Sequence, residues 1–323
     1  MNLPRRRLLQ VTAAAAAASL IPESSRAQSY PSRPVRLVVP FPAGQATDTV
    51  ARLVGQGLSD RLGQAVVIEN RTGAGGNIAA DVVAKASPDG YTLLVLGIWN
   101  AAAGALYRKL SYDFVRDISP VAIIGNTPYL MVIHPTVPTR TVPEFIAYAK
   151  ANPAKINMGS SGNGSVSHIF GEEFAARTGI RLVHVAYRSG YLPDLLAGRV
   201  QLVFGTISSN IEYITTGQLN VLAVTPATRS PMLPDVPTLG EFVPGYDAAV
   251  WYGVGAPKNV PAEVIETLNK QIAAVVSDPG MKTRLARLGV EPLSMTSAEF
   301  AAFIAAETEK WGKVIRTANI QLD

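Results

Sequence analysis

The sequence VPFPAGQATDTVAR, residues 39–52, has the same design as INMGSSGNGSVSH, residues 156–168. Each begins with an apolar run that predicts a strand, continues into a loop rich in Gly, Ser or Thr, and then opens a helical pattern. Backbone N–H groups in the first turn of a helix have no partner within the helix, and together with loop hydroxyl groups they favour a bound anion. Because more than a hundred residues separate the two segments, we expect them to lie in different lobes that face each other across a cleft.

The N-terminus has the pattern of an export signal. Residues 5–7 are three arginines, residues 8–20 form an Ala-rich apolar core, and Ser25 and Ala27 are the small residues of a cleavage site. This apolar core is shorter than the ~20 residues that a membrane span needs. We therefore predict cleavage after Ala27, export to the periplasm by the general or the twin-arginine route, and no stable membrane insertion.

Charge and cysteine content exclude several classes of protein. The predicted signal carries +3 of the chain's formal charge of +5, so the mature chain is near +2. Lys and Arg are scattered, without the basic stripe and interleaved aromatic residues typical of nucleic-acid binding. The chain contains no cysteine, which excludes a disulfide framework, a thiolate metal site and a cysteine nucleophile.

Strand-like and helical patterns alternate along the chain, as is typical of βαβ units with parallel strands. The predicted strands cover residues 35–39, 65–69, 91–96, 156–158, 181–185, 201–204 and 219–225. The predicted helices cover residues 47–62, 76–86, 143–151, 165–178, 192–197, 210–216, 261–277, 280–288 and 297–317. Extended segments at 130–134 and 251–256 are predicted to cross between two halves.

The 323-residue chain is long enough for two lobes after removal of the signal. We expect one lobe to comprise residues 28–128 and 248–323, and the other to comprise residues 129–247. The sequence thus predicts an α/β protein of two lobes, each a β-sheet flanked by helices, joined by two crossing hinge segments.

Loop B, residues 160–165, combines conformational freedom with hydrogen-bond donors. Its glycines let the backbone approach a ligand closely, and its serines and asparagine add side-chain donors. In the alternative interpretation, loop B is a Gly/Ser turn in which Ser165 caps the following helix. The candidate ligand contacts in this loop are Ser160, Ser161, Gly162, Asn163, Gly164 and Ser165.

Loop A, residues 41–48, allows two interpretations of its acidic residue. Thr47 is the predicted helix N-cap, and Asp48 is a first-turn acid that either stabilises the helix dipole or receives a ligand hydroxyl or ammonium group. Gly44 and Gln45 offer N–H groups and an amide. The candidate ligand contacts in this loop are Phe41, Ala43, Gly44, Gln45, Thr47 and Asp48.

Further candidates follow other predicted strands, at the edge where open α/β sheets bind ligands. Trp99 either packs in the core or forms an apolar wall of the cleft with its indole N–H directed at the ligand. Arg188 is a possible countercharge or an ordinary surface residue. The candidates at these strand ends are Trp99, Asn100, Tyr187, Thr206 and Ser208.

Catalytic and cofactor motifs are absent from the sequence, which contains no GxSxG, GxxxxGK[ST] or HExxH pattern. The three histidines lack metal-ligand spacing, and we expect neither a metal nor a cofactor. His168 lies one turn into the helix after loop B, where it can anchor the helix, face a ligand, or act as a base for a serine. The alternative function is therefore a secreted α/β hydrolase that uses a loop B serine with His168.

Several blocks in the same order resemble the tripartite tricarboxylate transporter receptors, also called the Bug family. They include VVPFPAGQATDTVARLV, VVIENRTGAGGNIAADVVAKASPDGYTLL, INMGSSGNGSVSH and WYGVGAPKNVPAEVIETLN. The resemblance runs from about residue 30 to the C-terminus. It implies a type II periplasmic binding protein fold and a monomeric, non-enzymatic receptor that closes over a small organic acid.

The resemblance also implies that loops A and B grip the ligand, and that a membrane permease of the tripartite tricarboxylate type receives it; some relatives serve signalling partners instead. The sequence departs from the family pattern in three places. Family members commonly have Pro-Gly-Gly at residues 43–45, where this chain has Ala-Gly-Gln. The segment after Tyr187 is shorter than usual, and Gln201 stands where an aspartate is frequent. These departures indicate a ligand that differs from the commonest ones.

Overall fold

A computed structural model describes residues 30–187 and 190–322. The predicted export signal, its cleavage site and Arg188 lie outside the described residues. Within the described ranges, no helix is both long and apolar enough to cross a membrane.

Strands and helices alternate along the chain. The strands are β1 (Val35–Val39), β2 (Val66–Asn70), β3 (Thr92–Gly97), β4 (Ile118–Ile133), β5 (Ile156–Ser160), β6 (Leu182–Ala186), β7 (Leu202–Thr206), β8 (Asn220–Val224), β9 (Ala249–Pro257) and β10 (Glu291–Pro292). The helices are α1 (Ala46–Leu62), α2 (Asn77–Ala84), α3 (Ile98–Leu106), α4 (Phe114–Asp117), α5 (Val142–Ala151), α6 (Val166–Thr178), α7 (Leu192–Leu196), α8 (Ile207–Thr215), α9 (Ala262–Ser277), α10 (Pro279–Arg287) and α11 (Ser297–Thr317). Single 3₁₀ turns cover Ala74–Gly76 and Leu239–Glu241.

The strands form two groups. In the first group, β1 pairs in parallel with β2 and β3, and β9 lies antiparallel between β3 and β4. In the second group, β5 pairs in parallel with β6 and β7, while β4 runs antiparallel to β7 and β8. This mixed α/β architecture confirms the predicted fold class.

Strand β4 belongs to both groups. It pairs with β9 as far as Pro128 opposite Ala249, and with β7 from Tyr129 opposite Thr206. The sequence predicted an extended segment only at residues 130–134, because the prolines and glycine in the part of β4 that pairs with β9 are poor strand formers. The structure accommodates them by register shifts in the pairing with β9, as β-bulges do.

Burial explains why the central strands are continuous apolar runs. In β3, residues 93–96 are fully buried, and in β1 only Arg36 is partly exposed. Helices cover both faces of such parallel strands, so both sets of side chains are apolar. The edge strands β2 and β6 are partly exposed.

Most predicted elements start and end within two residues of the observed ones, but one helix cap and one helix start are wrong, and the helices α3 and α4 are missing from the prediction. Helix α1 begins at Ala46 with Gln45 as its N-cap, and Gln45 makes no side-chain capping bond; Thr47 is therefore not the cap. Helix α8 begins at Ile207 and is capped by Thr206, because several cap-forming residues lie close together in this stretch. Helix α3 is missing from the prediction, because it follows β3 directly and Gly97 is its N-cap, so no Ser, Thr or Asp marks its start.

The strand β9 and the helix α11 are joined by a buried carboxylate. Glu307 Oε2 accepts hydrogen bonds from Trp251 Nε1 at 3.0 Å and from Trp311 Nε1 at 2.7 Å. Both indole rings are fully buried. Trp311 also stacks on Phe170 of α6, with ring centroids 5.2 Å apart. Since α6 flanks the second group of strands, this cluster connects the two groups on one side.

We predict that Glu307→Leu lowers the free energy of unfolding by about 2–4 kcal/mol, because it leaves two buried indole N–H groups without an acceptor, each at a cost of about 1–3 kcal/mol. The measurement is urea denaturation followed by circular dichroism. Glu309→Leu, at an exposed position of the same helix, is the matched control and is expected to change stability by less than about 0.5 kcal/mol. Equal losses in the two variants would contradict this role of Glu307.

Candidate functional site

Loops A and B line one cavity. Each loop follows the carboxyl end of a parallel strand, β1 or β5, and leads into the N-terminus of a helix, α1 or α6. The cavity has a volume of about 250 Å³ and is bounded by Phe41 of loop A, Trp99 of α3, and Asn163, Gly164 and Ser165 of loop B. We call it the cleft cavity. Two segments that are far apart in sequence therefore meet at a single concave site.

Asp48 holds loop A in shape. Its side chain is only 2% exposed. Oδ2 accepts hydrogen bonds from Gly44 N at 2.8 Å and Arg52 Nε at 2.9 Å, and Oδ1 accepts one from Asn70 Nδ2 at 2.8 Å. Burial opposes ionisation of this carboxyl group, but the donors outweigh it, and the pKa of Asp48 lies below its usual value. The carboxylate is thus engaged inside the protein and positions Gly44, whose φ of +84° suits glycine.

The remainder of loop A is open to solvent. Ala43, Gly44 and Gln45 are exposed, whereas Thr47 is buried. Because Gln45 does not cap helix α1, the first-turn N–H groups of this helix keep their capacity to bind an acceptor. Asn70 Nδ2 also donates to Phe41 O at 2.9 Å, which fixes the start of the loop.

A buried serine and two histidines support loop B from below. Ser160 is fully buried, and its Oγ lies 2.6 Å from His184 Nε2 and 3.1 Å from Gly162 N. His168 Nδ1 accepts a hydrogen bond from Gly164 N at 3.2 Å. The rings of His168 and His184 stack with centroids 3.6 Å apart and an interplanar angle of 5°. The conformation of loop B therefore depends on groups that lie beneath it.

Other loop B residues face outward. Ser161 and Asn163 are exposed, and Ser165 caps helix α6 by accepting a hydrogen bond from His168 N at 3.4 Å. The capping interpretation of Ser165 is confirmed. Ser165 also lines the cleft cavity, so capping and a role in binding are compatible at this residue.

Trp99 forms a wall of the cleft cavity at the start of α3. Its ring packs edge-on against Phe41, with centroids 5.0 Å apart, and lies 6.0 Å from the ring of Tyr252. A side chain at Gly97 would meet the indole ring at 2.5 Å, so glycine is required there. The neighbouring Asn100 is buried, and its Oδ1 accepts a hydrogen bond from Gly97 N at 3.1 Å. Trp99 thus lines the cavity, whereas Asn100 organises the start of the helix.

Of the predicted site residues, the cleft cavity is lined by Phe41, Trp99, Asn163, Gly164 and Ser165, and the other predicted residues lie outside its lining. Tyr187 donates its hydroxyl hydrogen to Asp194 Oδ2 at 2.7 Å. Thr206 caps α8 by accepting a hydrogen bond from Ser209 N at 3.3 Å, and its Oγ1 lies 3.2 Å from Ser208 Oγ. These two strand ends therefore serve local structure in this conformation.

The sequence prediction missed much of the apolar lining. Ile98, Ala102 and Tyr107 come from α3 and the residue after it, and Leu322 reaches the cavity from the end of the described chain. Leu322 N donates to Leu106 O at 2.8 Å. The first three residues were missed because helix α3 was not predicted. The contact between Leu322 and Leu106 was missed because local sequence patterns give no signal for contacts between residues this far apart in the chain.

Comparison with known proteins identifies similar chains. The profile of the tripartite tricarboxylate transporter family receptor matches residues 50–320. Protein BugT of Bordetella pertussis is 34% identical over 327 residues, which covers 100% of both chains.

Two solved structures are similar along most of the chain. Rpa4515 of R. palustris, determined with adipate, has a TM-score of 0.76 and 37% identity, covering 91% of this chain and 100% of that one. MatC from Rhodopseudomonas palustris, determined with bound malate, has a TM-score of 0.71 and 32% identity, covering 88% of this chain and 100% of that one.

We predict that the histidine stack makes folding sensitive to acid. Burial, followed by the neighbouring His168, lowers the pKa of His184 to about 4, so between about pH 6.5 and pH 4 the unfolded chain binds a proton that the folded chain does not. The free energy of unfolding should therefore fall as the pH falls through this window, by about 1–2 kcal/mol once partial exposure is allowed for.

The test compares urea denaturation at pH 7 and pH 4.5 for the parent protein and His184→Gln. The variant should lose less stability than the parent over this interval. His134→Gln, which changes a histidine away from loop B, serves as the control and should retain the parent's pH dependence. A parallel pH dependence of the parent and His184→Gln would rule out this explanation.

Proposed function

The chain belongs to the tripartite tricarboxylate transporter receptor family, and from this membership we propose that it is a periplasmic receptor that captures a small carboxylate between two lobes. One observation carries the proposal: Phe41 of loop A and residues 163–165 of loop B, which follow the carboxyl ends of two parallel strands, line the same cavity. The adipate in the structure of Rpa4515 and the malate in that of MatC are both carboxylates, which supports this ligand class.

Carboxylate recognition in this site relies on neutral donors. Among the described residues that line the cleft cavity, none is lysine, arginine or histidine. Backbone N–H groups at the start of α6 and the side chains of Asn163 and Ser165 supply the complementary polarity. A hydrogen bond to an ionised oxygen contributes about 1.5–3 kcal/mol, so a few such bonds are sufficient to retain a small ligand.

The proposed motion is closure of two lobes, one formed by residues 28–128 and 248–323 and the other by residues 129–247. The change of partner along β4, between Pro128 and Tyr129, supports a boundary at this point. A ligand that contacts both loops gains its full set of contacts only when the lobes are close together, so binding shifts the population toward the closed form.

Geometry disfavours the alternative of a serine hydrolase. His168 Nδ1 accepts a hydrogen bond from Gly164 N and its Nε2 lies 3.5 Å from Glu172 Oε1, so its ring nitrogens face no loop B serine. Ser160 does contact His184, but it is fully buried. A nucleophile requires access to its substrate, which this serine lacks.

The proposal also includes export of the chain and delivery of its ligand. The predicted signal at residues 1–27 would send the chain to the periplasm, where the mature monomer would transfer its ligand to a membrane permease of the tripartite tricarboxylate type. Signalling to a membrane sensor is the alternative output, and isolation of binding partners from membranes would distinguish the two.

We predict that a small carboxylate stabilises the protein and that Asn163→Leu weakens its binding at least tenfold. The substitution removes a polar group from the cavity at an exposed position, so the free protein should melt within a few degrees of the parent. The measurements are thermal shift with a panel of dicarboxylates, aromatic acids and acidic amino acids, followed by calorimetry with each ligand that stabilises.

Gln218→Leu, an exposed position outside the cleft cavity, is the control and should bind like the parent. If no carboxylate stabilises the protein while a serine-directed covalent probe labels loop B, the receptor proposal is wrong. A decrease in the radius of gyration on ligand binding, measured by small-angle X-ray scattering, would support lobe closure.

A further inference from the structure

The polar and apolar groups of the cleft cavity are largely segregated. The amide of Asn163 and the hydroxyl of Ser165 both come from loop B. The opposite side is largely apolar and is formed mainly by α3 through Ile98, Trp99 and Ala102. Its polar atoms are the hydroxyl of Tyr107 and the indole Nε1 of Trp99, which is buried without a hydrogen-bond partner. A bound molecule therefore meets hydrogen-bond donors at one end and hydrocarbon or aromatic surface along its body.

This segregation disfavours a second charge on the ligand. A dicarboxylate anchored at loop B would place its other carboxylate on this largely apolar side, where the two neutral donors of Tyr107 and Trp99 replace only part of its hydration. Within the described lining, Tyr107 is the only residue with an ionisable side chain, and burial raises the pKa of its hydroxyl. No described group of this wall is thus suited to neutralise a second negative charge.

The size and shape of the cleft cavity further restrict the class of ligand that fits it. The cavity volume of about 250 Å³ lies below the range of about 300–1,000 Å³ typical of sites for drug-sized ligands. The edge-on packing of Phe41 against Trp99 leaves aromatic surface at the cavity wall, and aromatic surfaces pair well with the face or edge of another ring. A single ring with one acidic substituent satisfies both restrictions.

We propose that the ligand is a monocarboxylate whose remaining part is a single apolar ring, with the carboxylate at loop B and the ring against α3 and Phe41. This inference rests on the proposed receptor function and specifies its ligand class. It assigns Trp99 and Ala102 as specificity-determining residues, since they set the chemical character and depth of the apolar side.

The first experiment is calorimetry of the full mature protein with benzoate, phenylacetate, malate, adipate and benzyl alcohol. We expect benzoate or phenylacetate to bind at least tenfold more tightly than malate and adipate, and benzyl alcohol to bind at least tenfold more weakly than the better of the two ring acids. Malate or adipate binding as tightly as the ring acids would overturn the inference while leaving the receptor function intact. Absence of binding by every carboxylate would overturn both.

The second experiment locates the ring within the cavity. Of the chain's three tryptophans, Trp251 and Trp311 are fully buried, and Trp99 lines the cavity. A ring acid should therefore change the tryptophan fluorescence of the parent protein, and Trp99→Phe should lose most of that change while it still binds the acid by calorimetry. An unchanged fluorescence response in Trp99→Phe would exclude this placement.

The third experiment introduces a larger side chain on the apolar side of the cleft cavity. Ala102→Leu should weaken phenylacetate at least tenfold, because the added methyl groups occupy the space assigned to the ring. Ala105→Leu on the same helix, whose position is not part of the cavity lining, is the matched control. Circular dichroism and the melting temperature establish that both variants fold. A folded Ala102→Leu variant with undiminished affinity for phenylacetate would contradict the proposal.

Discussion

The continuity of strand β4 through both groups of strands is the constraint on which the rest of the structure depends. One strand pairs with β9 along its first part and with β7 and β8 along its last residues. Each group then extends from β4 into parallel strands whose carboxyl ends bear the loops of the site. Because β4 fixes both groups, loops A and B meet at one cavity although they are far apart in the sequence.

Both loops are held in shape by buried polar groups that are not part of the cavity lining. Asp48 gathers hydrogen bonds from Gly44, Arg52 and Asn70 beneath loop A, and Ser160 and the two stacked histidines occupy the corresponding place beneath loop B. Buried hydrogen-bonded groups of this kind restrict a loop to one conformation. The two loops therefore keep their conformation without a ligand, and such preorganisation reduces the entropy lost on binding.

The sequence predicts the fold class and most element boundaries well, because apolar runs and helical periodicity are local signals. It also indicates which two loops meet at the cavity, since Gly/Ser-rich strand ends are visible in the chain itself. It does not distinguish a residue that faces the cavity from one that supports the loop below it: Asp48, Ser160 and His168 have the residue types of a binding site but are buried within it. Helix α3 is not predicted because it is preceded by a glycine, which carries no capping side chain. The apolar side of the cavity, which α3 forms, is therefore not predicted either.

Helix α3 contributes to the cavity without taking part in the hydrogen bonds that shape loop A or loop B. Substitutions along its cavity face at Ile98, Trp99 and Ala102 can therefore alter the apolar surface while the donors stay in position. Such an arrangement lets the apolar wall diverge among gene duplicates through a few changes on one helix, independently of the buried hydrogen bonds that hold the two loops.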